Sequence, residues 1–179
     1  MAKRTRDTLL GAFVCAALAL TSPASARTVM TTQETLLDRI QIEDMMVEYY
    51  SLLTEHVRHN ISDYFTEDAV LDANGARFEG RAAIQRLYDN GTDTRIQRGN
   101  TYNMVYANPR IVVTGRTAVM DAIWTGYLSD NVYTAPRLVE QGTERTTFVK
   151  QNGMWMITSR TIVNKGGKPT WTTGENLGN

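Results

Sequence analysis

The chain is 179 residues long and carries 19 basic and 19 acidic side chains, so its formal charge is zero at neutral pH. A balanced composition with no basic stripe argues against nucleic-acid binding. One cysteine, Cys15, excludes an internal disulfide framework.

The chain opens with a basic start from Met1 to Arg6, an apolar run from Leu9 to Leu20, and the small residues Ala24-Ser25-Ala26. This three-part order is that of a cleavable secretory leader. The apolar run is shorter than the roughly 20 residues that span a bilayer, and the surroundings of Cys15 are not those of a lipid-modified cysteine. Cleavage after Ala26 and export to a periplasm or beyond are expected, with no membrane association afterwards. Cleavage removes Lys3, Arg4, Arg6, Asp7 and the only cysteine, leaving 16 basic and 18 acidic side chains. Such a product relies on packing or oligomerisation for its stability, and residues 27–179 suffice for one domain with a sizeable core.

Thr31-Thr32-Gln33-Glu34 has capping-box spacing and predicts a helix running to about His59. Its apolar positions are Leu36, Leu37, Ile40, Met45, Val47, Tyr50, Leu52 and Leu53, with charges between them. Ile61 to Phe65 predicts a short second helix capped by Asn60 or Ser62, and Ala69 to Asp72 a strand. Asn74-Gly75 signals a hairpin that returns through Arg77-Phe78-Glu79. Arg81 to Tyr88 predicts a third helix, and Asn90 to Asn100 a polar loop. Strands follow at Tyr102 to Val113, Thr117 to Leu128, Leu138 to Lys150 and Met154 to Asn164. Period-two alternation puts Ala118, Met120, Ala122, Trp124, Gly126 and Leu128 on one buried face, and groups Trp155, Ile157 and Val163 on another. Residues 165–179 are glycine-rich and read as a flexible tail, which bounds the domain at residues 27–164. Helices first and a strand meander afterwards predict an α+β fold.

Several stretches, in this order, resemble the SnoaL-like branch of the nuclear transport factor two-like superfamily: Asp38-Arg39-Ile40-Gln41-Ile42-Glu43-Asp44, Tyr64-Phe65-Thr66-Glu67-Asp68-Ala69-Val70, Phe78-Glu79-Gly80-Arg81-Ala82-Ala83-Ile84, Ala107-Asn108-Pro109-Arg110-Ile111, and Asn152 to Arg160. The resemblance spans roughly residues 33 to 164. It implies a cone-shaped barrel of curved antiparallel sheet packed against about three N-terminal helices, in a superfamily that includes dehydratases, cyclases, isomerases and members without chemistry. In the resembling dehydratases a tyrosine and an aspartate five residues apart act with a strand histidine. Tyr50 and Glu55 take the first two positions here, whereas the histidine position falls near Asn103 or Met104.

A phenol such as Tyr50 can donate to a developing oxyanion, and Glu55 or its neighbour His56 can act as the base. Asn103 can hold a substrate oxygen by its amide. Arg145 and Arg160 are placed to clamp a carboxylate or phenolate. Tyr64, Phe65, Met104, Trp124 and Phe148 are expected to line an apolar pocket. Glu55, His56 and His59 have helix-face spacing but no fourth ligand, so no metal is expected. No glycine fingerprint points to a nucleotide cofactor, and no cofactor is expected. The expected activity is a cofactor-independent lyase or isomerase acting on a small hydrophobic, aromatic or polycyclic molecule. The alternatives are a non-catalytic binding module for such a molecule and a dimerising interaction domain. A homodimer or homotrimer is expected in any case.

Overall fold

The computed structural model describes residues 31–54, 60–90 and 100–167. The expected leader, residues 91–99 of the expected Asn90–Asn100 loop, and residues 168–179 lie outside the described residues, as do Glu55, His56 and His59.

Helix α1 (Leu36–Thr54) is entered through a reciprocal cap. The Thr32 amide donates to Thr35 Oγ1 at 2.9 Å and the Thr35 amide donates to Thr32 Oγ1 at 3.3 Å, one residue later than the Thr31–Glu34 box predicted. Its buried stripe is Ile42, Met46, Tyr49 and Tyr50. Leu36, Leu37, Ile40 and Val47, predicted on the apolar side, are exposed. The helix carries apolar groups around much of its circumference, so periodicity alone could not choose the face that meets the sheet.

The segment Ile61–Tyr64 is a single 3-10 turn rather than a helix, and it leads into strand β1 (Phe65–Ala73). Asn74 and Gly75 both take positive φ, 55° and 88°, in the tight turn to β2 (Ala76–Glu79). Helix α2 spans Arg81–Asn90. The meander follows as β3 (Thr101–Thr114), β4 (Thr117–Ser129), β5 (Arg137–Gln151) and β6 (Met154–Gly167). Among the described residues, two α-helices and one 3-10 turn stand where three helices were expected, and residues 165–167 belong to a strand rather than to a tail.

The strands form one six-stranded sheet in the order β2-β1-β6-β5-β4-β3. It is mixed, because β1 runs parallel to β6 while its other pairs are antiparallel. The chain passes from β1 to β6 only after the whole meander has been laid down, so the two strands need not be joined by a hairpin. The sheet is open, with β2 and β3 as its edges. One face packs under α1 around Phe65, Leu71, Ile111, Met120, Phe148 and Ile157, and the predicted buried face of β4 is observed in full. No helix among the described residues is long and apolar enough to cross a membrane.

Candidate functional site

The site begins with an irregularity in β6. Phe148 pairs with Ile157 and Thr147 with Ser159, so Thr158 is an extra residue between them. A bulge of this kind switches which residues face inward. Trp155 and Ile157 are buried before it, and Arg160 and Ile162 after it, while Val163 is turned outward. The grouping of Val163 with Trp155 and Ile157 is thereby corrected. Arg160 is aimed into the core.

Arg160 is 2% exposed, and Glu144, from the inward face of β5, is 3% exposed. Arg160 Nε donates to Glu144 Oε2 at 2.7 Å, and Nη2 lies 2.5 Å from the same oxygen. Nη2 also donates to the Tyr50 hydroxyl at 2.8 Å, and Nη1 donates to the Tyr49 hydroxyl, which shares a further hydrogen bond with Tyr88. The guanidinium carbon sits 4.5 Å and 5.3 Å from the ring centroids of Tyr49 and Tyr50. One charge thus ties α1, α2, β5 and β6 together. Burial opposes the Arg160 charge, but Glu144 together with Tyr49, Tyr50 and Tyr88 outweighs it, and the guanidinium holds its proton more firmly than usual. Burial, reinforced by Glu144 and opposed by Arg160, pushes the Tyr50 phenol well above its usual range, so it is a neutral donor and not a base at neutral pH.

Two glycines make room on the same face. A Cβ on Gly142 would lie 2.4 Å from the Trp124 ring and from the Val163 carbonyl, so glycine is what lets the indole lie across β5. At Gly126 a Cβ would meet the Tyr102 hydroxyl at 2.6 Å. That hydroxyl donates to Glu140, a second carboxylate on the inner face of β5, which is 0% exposed. Around these groups the Tyr106 hydroxyl, Trp124 Nε1, Glu144 Oε1 and Thr146 Oγ1 are buried without a hydrogen-bond partner among the described residues. Such groups cost about 1–3 kcal/mol each, and two more, Thr66 Oγ1 and Asn164 Nδ2, lie on β1 and β6.

Beside them a cleft of about 540 Å³ opens between α1 and the edge strand β3, lined by Val47, Tyr50, Ser51, Asn103, Met104, Val105 and Tyr106. Its aromatic wall is the Tyr50–Tyr106 pair, stacked at 5.3 Å between centroids and 8° between planes. Three residues singled out by sequence, Tyr50, Asn103 and Met104, meet here. Of the rest, Glu55 and His56 lie outside the described residues, and the described ones lie elsewhere. Phe65, Trp124 and Phe148 are core, and Tyr64 is half-buried with its ring edge-on to Tyr49 at 5.6 Å. Arg145 projects from the opposite face, where it bonds Asp121 at 2.7 Å and borders a separate cleft of about 420 Å³. The two arginines expected to clamp a ligand together lie on opposite faces of the sheet, and the partners of Arg160 are protein groups. Sequence reading missed Tyr49, Tyr88, Tyr102, Tyr106, Glu140 and Glu144. Counting back by two from buried Phe148 would have reached both glutamates.

The SnoaL-like domain profile matches residues 34–161, the greater part of the chain. The chain belongs to the SnoaL-like domain family. The fold of this SnoaL-like domain is similar to that of an NTF2-like protein with a cystatin-like fold from Novosphingobium aromaticivorans, at 23% identity and a TM-score of 0.62 over 77% of this chain and 88% of that one. It is also similar to a protein of the same organism proposed to be a scytalone dehydratase, at 21% identity and a TM-score of 0.62 over 76% and 89%. A third similar structure is ActVI-ORFA from Streptomyces coelicolor, at 13% identity and a TM-score of 0.61 over 71% and 96%. No curated protein sequence matches the chain. Among the described residues of this SnoaL-like domain, no group of three or more His, Cys, Asp or Glu side chains comes together to hold a metal.

Proposed function

We propose that the protein is a cofactor-independent lyase or isomerase that binds a flat, hydrophobic, oxygenated molecule in the α1–β3 cleft. The observation that carries this reading is the meeting of Tyr50, Asn103 and Met104 with Tyr106 on one cleft whose volume suits a molecule of a few rings. Family membership and the likeness to the dehydratase-type structure support it.

In this reading a base removes a proton from the carbon next to a substrate carbonyl. The electrons move onto the carbonyl oxygen, where the Asn103 amide donates a hydrogen bond. When they return, a hydroxyl on the neighbouring carbon leaves as water with the abstracted proton, or the proton is redelivered one conjugated position away. The cleft's described lining contains no carboxylate or imidazole. The base role therefore stays with Glu55 or His56, four and five residues after Ser51 in the chain. Tyr50 supplies aromatic wall, held by Arg160. Export is part of the proposal, resting on the leader expected from the sequence, and a mature mass beginning at Arg27 would check that part.

The experiment is turnover of hydroxylated aromatic ketones by purified protein, followed by absorbance and chromatography. Asn103→Ala is expected to lower kcat about 100-fold, the scale of one oxyanion donor, and either Glu55→Gln or His56→Gln by a similar amount. Wild-type turnover in all three variants would sink these roles. A non-catalytic binding module is the second reading, favoured by the mutual engagement of Arg160, Glu144, Tyr49 and Tyr50. Saturable binding without turnover would establish it instead.

A further inference from the structure

Tyr106, on the wall of the α1–β3 cleft, stands next to buried polar groups of the neighbouring strand. Tyr106 lines the cleft, yet its hydroxyl is buried, as are Trp124 Nε1 and Glu144 Oε1. Tyr106 and Trp124 are register partners, and the Trp124 indole lies over Gly142, two residues from Glu144 on the same face of β5. Trp124 Nε1 and Glu144 Oε1 are complementary: an indole N–H only donates, and an oxygen of a carboxylate paired with arginine accepts. Glu144 Oε2 already receives Arg160, and Arg160 is further engaged by Tyr49 and Tyr50.

We propose that Glu144 Oε1 and Trp124 Nε1 form a hydroxyl-recognition subsite, so that the ligand is neutral there and carries an O–H. The proposal rests on the reading of the α1–β3 cleft as a ligand site. The ligand hydroxyl donates to Glu144 and accepts from Trp124 once the Tyr106 ring turns aside. That motion is a side-chain rotation on an edge strand and breaks no backbone pairing. One hydroxyl satisfies both protein atoms. An ether offers only an acceptor, and a carboxylate offers only acceptors while bringing like charge to Glu144. This selectivity is opposite to the anion clamp that Arg145 and Arg160 would have made.

The test uses three probes of one shape, 2-naphthol, 2-methoxynaphthalene and 2-naphthoate, with affinities measured calorimetrically and indole N–H signals followed by nuclear magnetic resonance. 2-Naphthol is expected to bind about tenfold or more tightly than either of the others, the scale of one hydrogen bond lost. The indole signal that disappears in Trp124→Phe is expected to shift on 2-naphthol binding only. Trp124→Phe and Glu144→Gln are each expected to shrink the hydroxyl-over-methoxy preference to about threefold or less, and the phenylalanine variant answers the question even if the glutamine variant fails to fold. Equal affinity for the three probes, tighter binding of 2-naphthoate, an unmoved Trp124 signal, or no binding at all would each overturn the subsite. Hydroxyl-selective binding without turnover of any substrate would leave the subsite standing and remove only the lyase reading.

Discussion

Removing one member of the Arg160–Glu144 pair leaves the other as a lone charge among Tyr49, Tyr50 and Phe148, all of them buried. Breaking a buried pair in this way costs about 3–5 kcal/mol, whereas replacing both members with apolar residues is often close to neutral. Urea unfolding of Arg160→Met is therefore expected to show a loss of about 3–5 kcal/mol, and Arg160→Met with Glu144→Leu a loss of about 2 kcal/mol or less. Single-variant losses below about 1 kcal/mol would show that the pair is not desolvated. The tyrosines make a pH prediction. Burial, then Glu43 and Glu144, push the Tyr106 phenol up to about 12, while an unfolded phenol ionises near 10. Between those values the folded chain keeps a proton that the unfolded chain releases, so stability falls as pH rises from about 10 towards 12. Melting temperatures across that window should drop for the wild type and drop less steeply for Tyr106→Phe.

At the scale of elements, bulges and glycines decide what the strands present. β3 has its own bulge, where the register moves from Ala107–Ile123 to Arg110–Asp121 and Asn108 takes φ 52°. The switch puts Tyr106 inward on one side of it and Ile111 and Val113 inward on the other. A β-branched residue tolerates that backbone poorly, so Asn108→Val is expected to cost about 1–2 kcal/mol and Asn108→Gly close to nothing, read as denaturation midpoints. Gly142→Ala forces a methyl against the Trp124 ring and a backbone carbonyl, and a loss of about 1–3 kcal/mol is expected. Wild-type stability would mean that β5 and the indole can part at little cost. Deleting Thr158 is the most severe change of this kind. It moves the inward face back by one residue and expels Arg160 from its partners, so loss of the cooperative unfolding transition is expected by circular dichroism.

For the whole molecule, the open mixed sheet leaves β3 as an edge strand, and the cleft lies between that strand and α1. The element order was legible in the amino acids because each signal was local: the Asn74-Gly75 turn, the alternation along β4, and the start of α2 at Arg81. Tyr50, Asn103 and Met104 were singled out through the family resemblance and meet in the cleft. The parallel pairing of β1 with β6 was not legible, since strands separated by the whole meander leave no local mark. The buried face of α1 was not legible either, because several of its faces are apolar. By itself the sequence determined the α+β class, most strand positions and the family, since propensity, turn chemistry and alternation act over a few residues. Only the tertiary structure decided that Arg160 and Glu144 point inward, because a bulge changes parity without changing composition, and that Arg145 points away, because the face a strand residue occupies depends on what the whole sheet packs against.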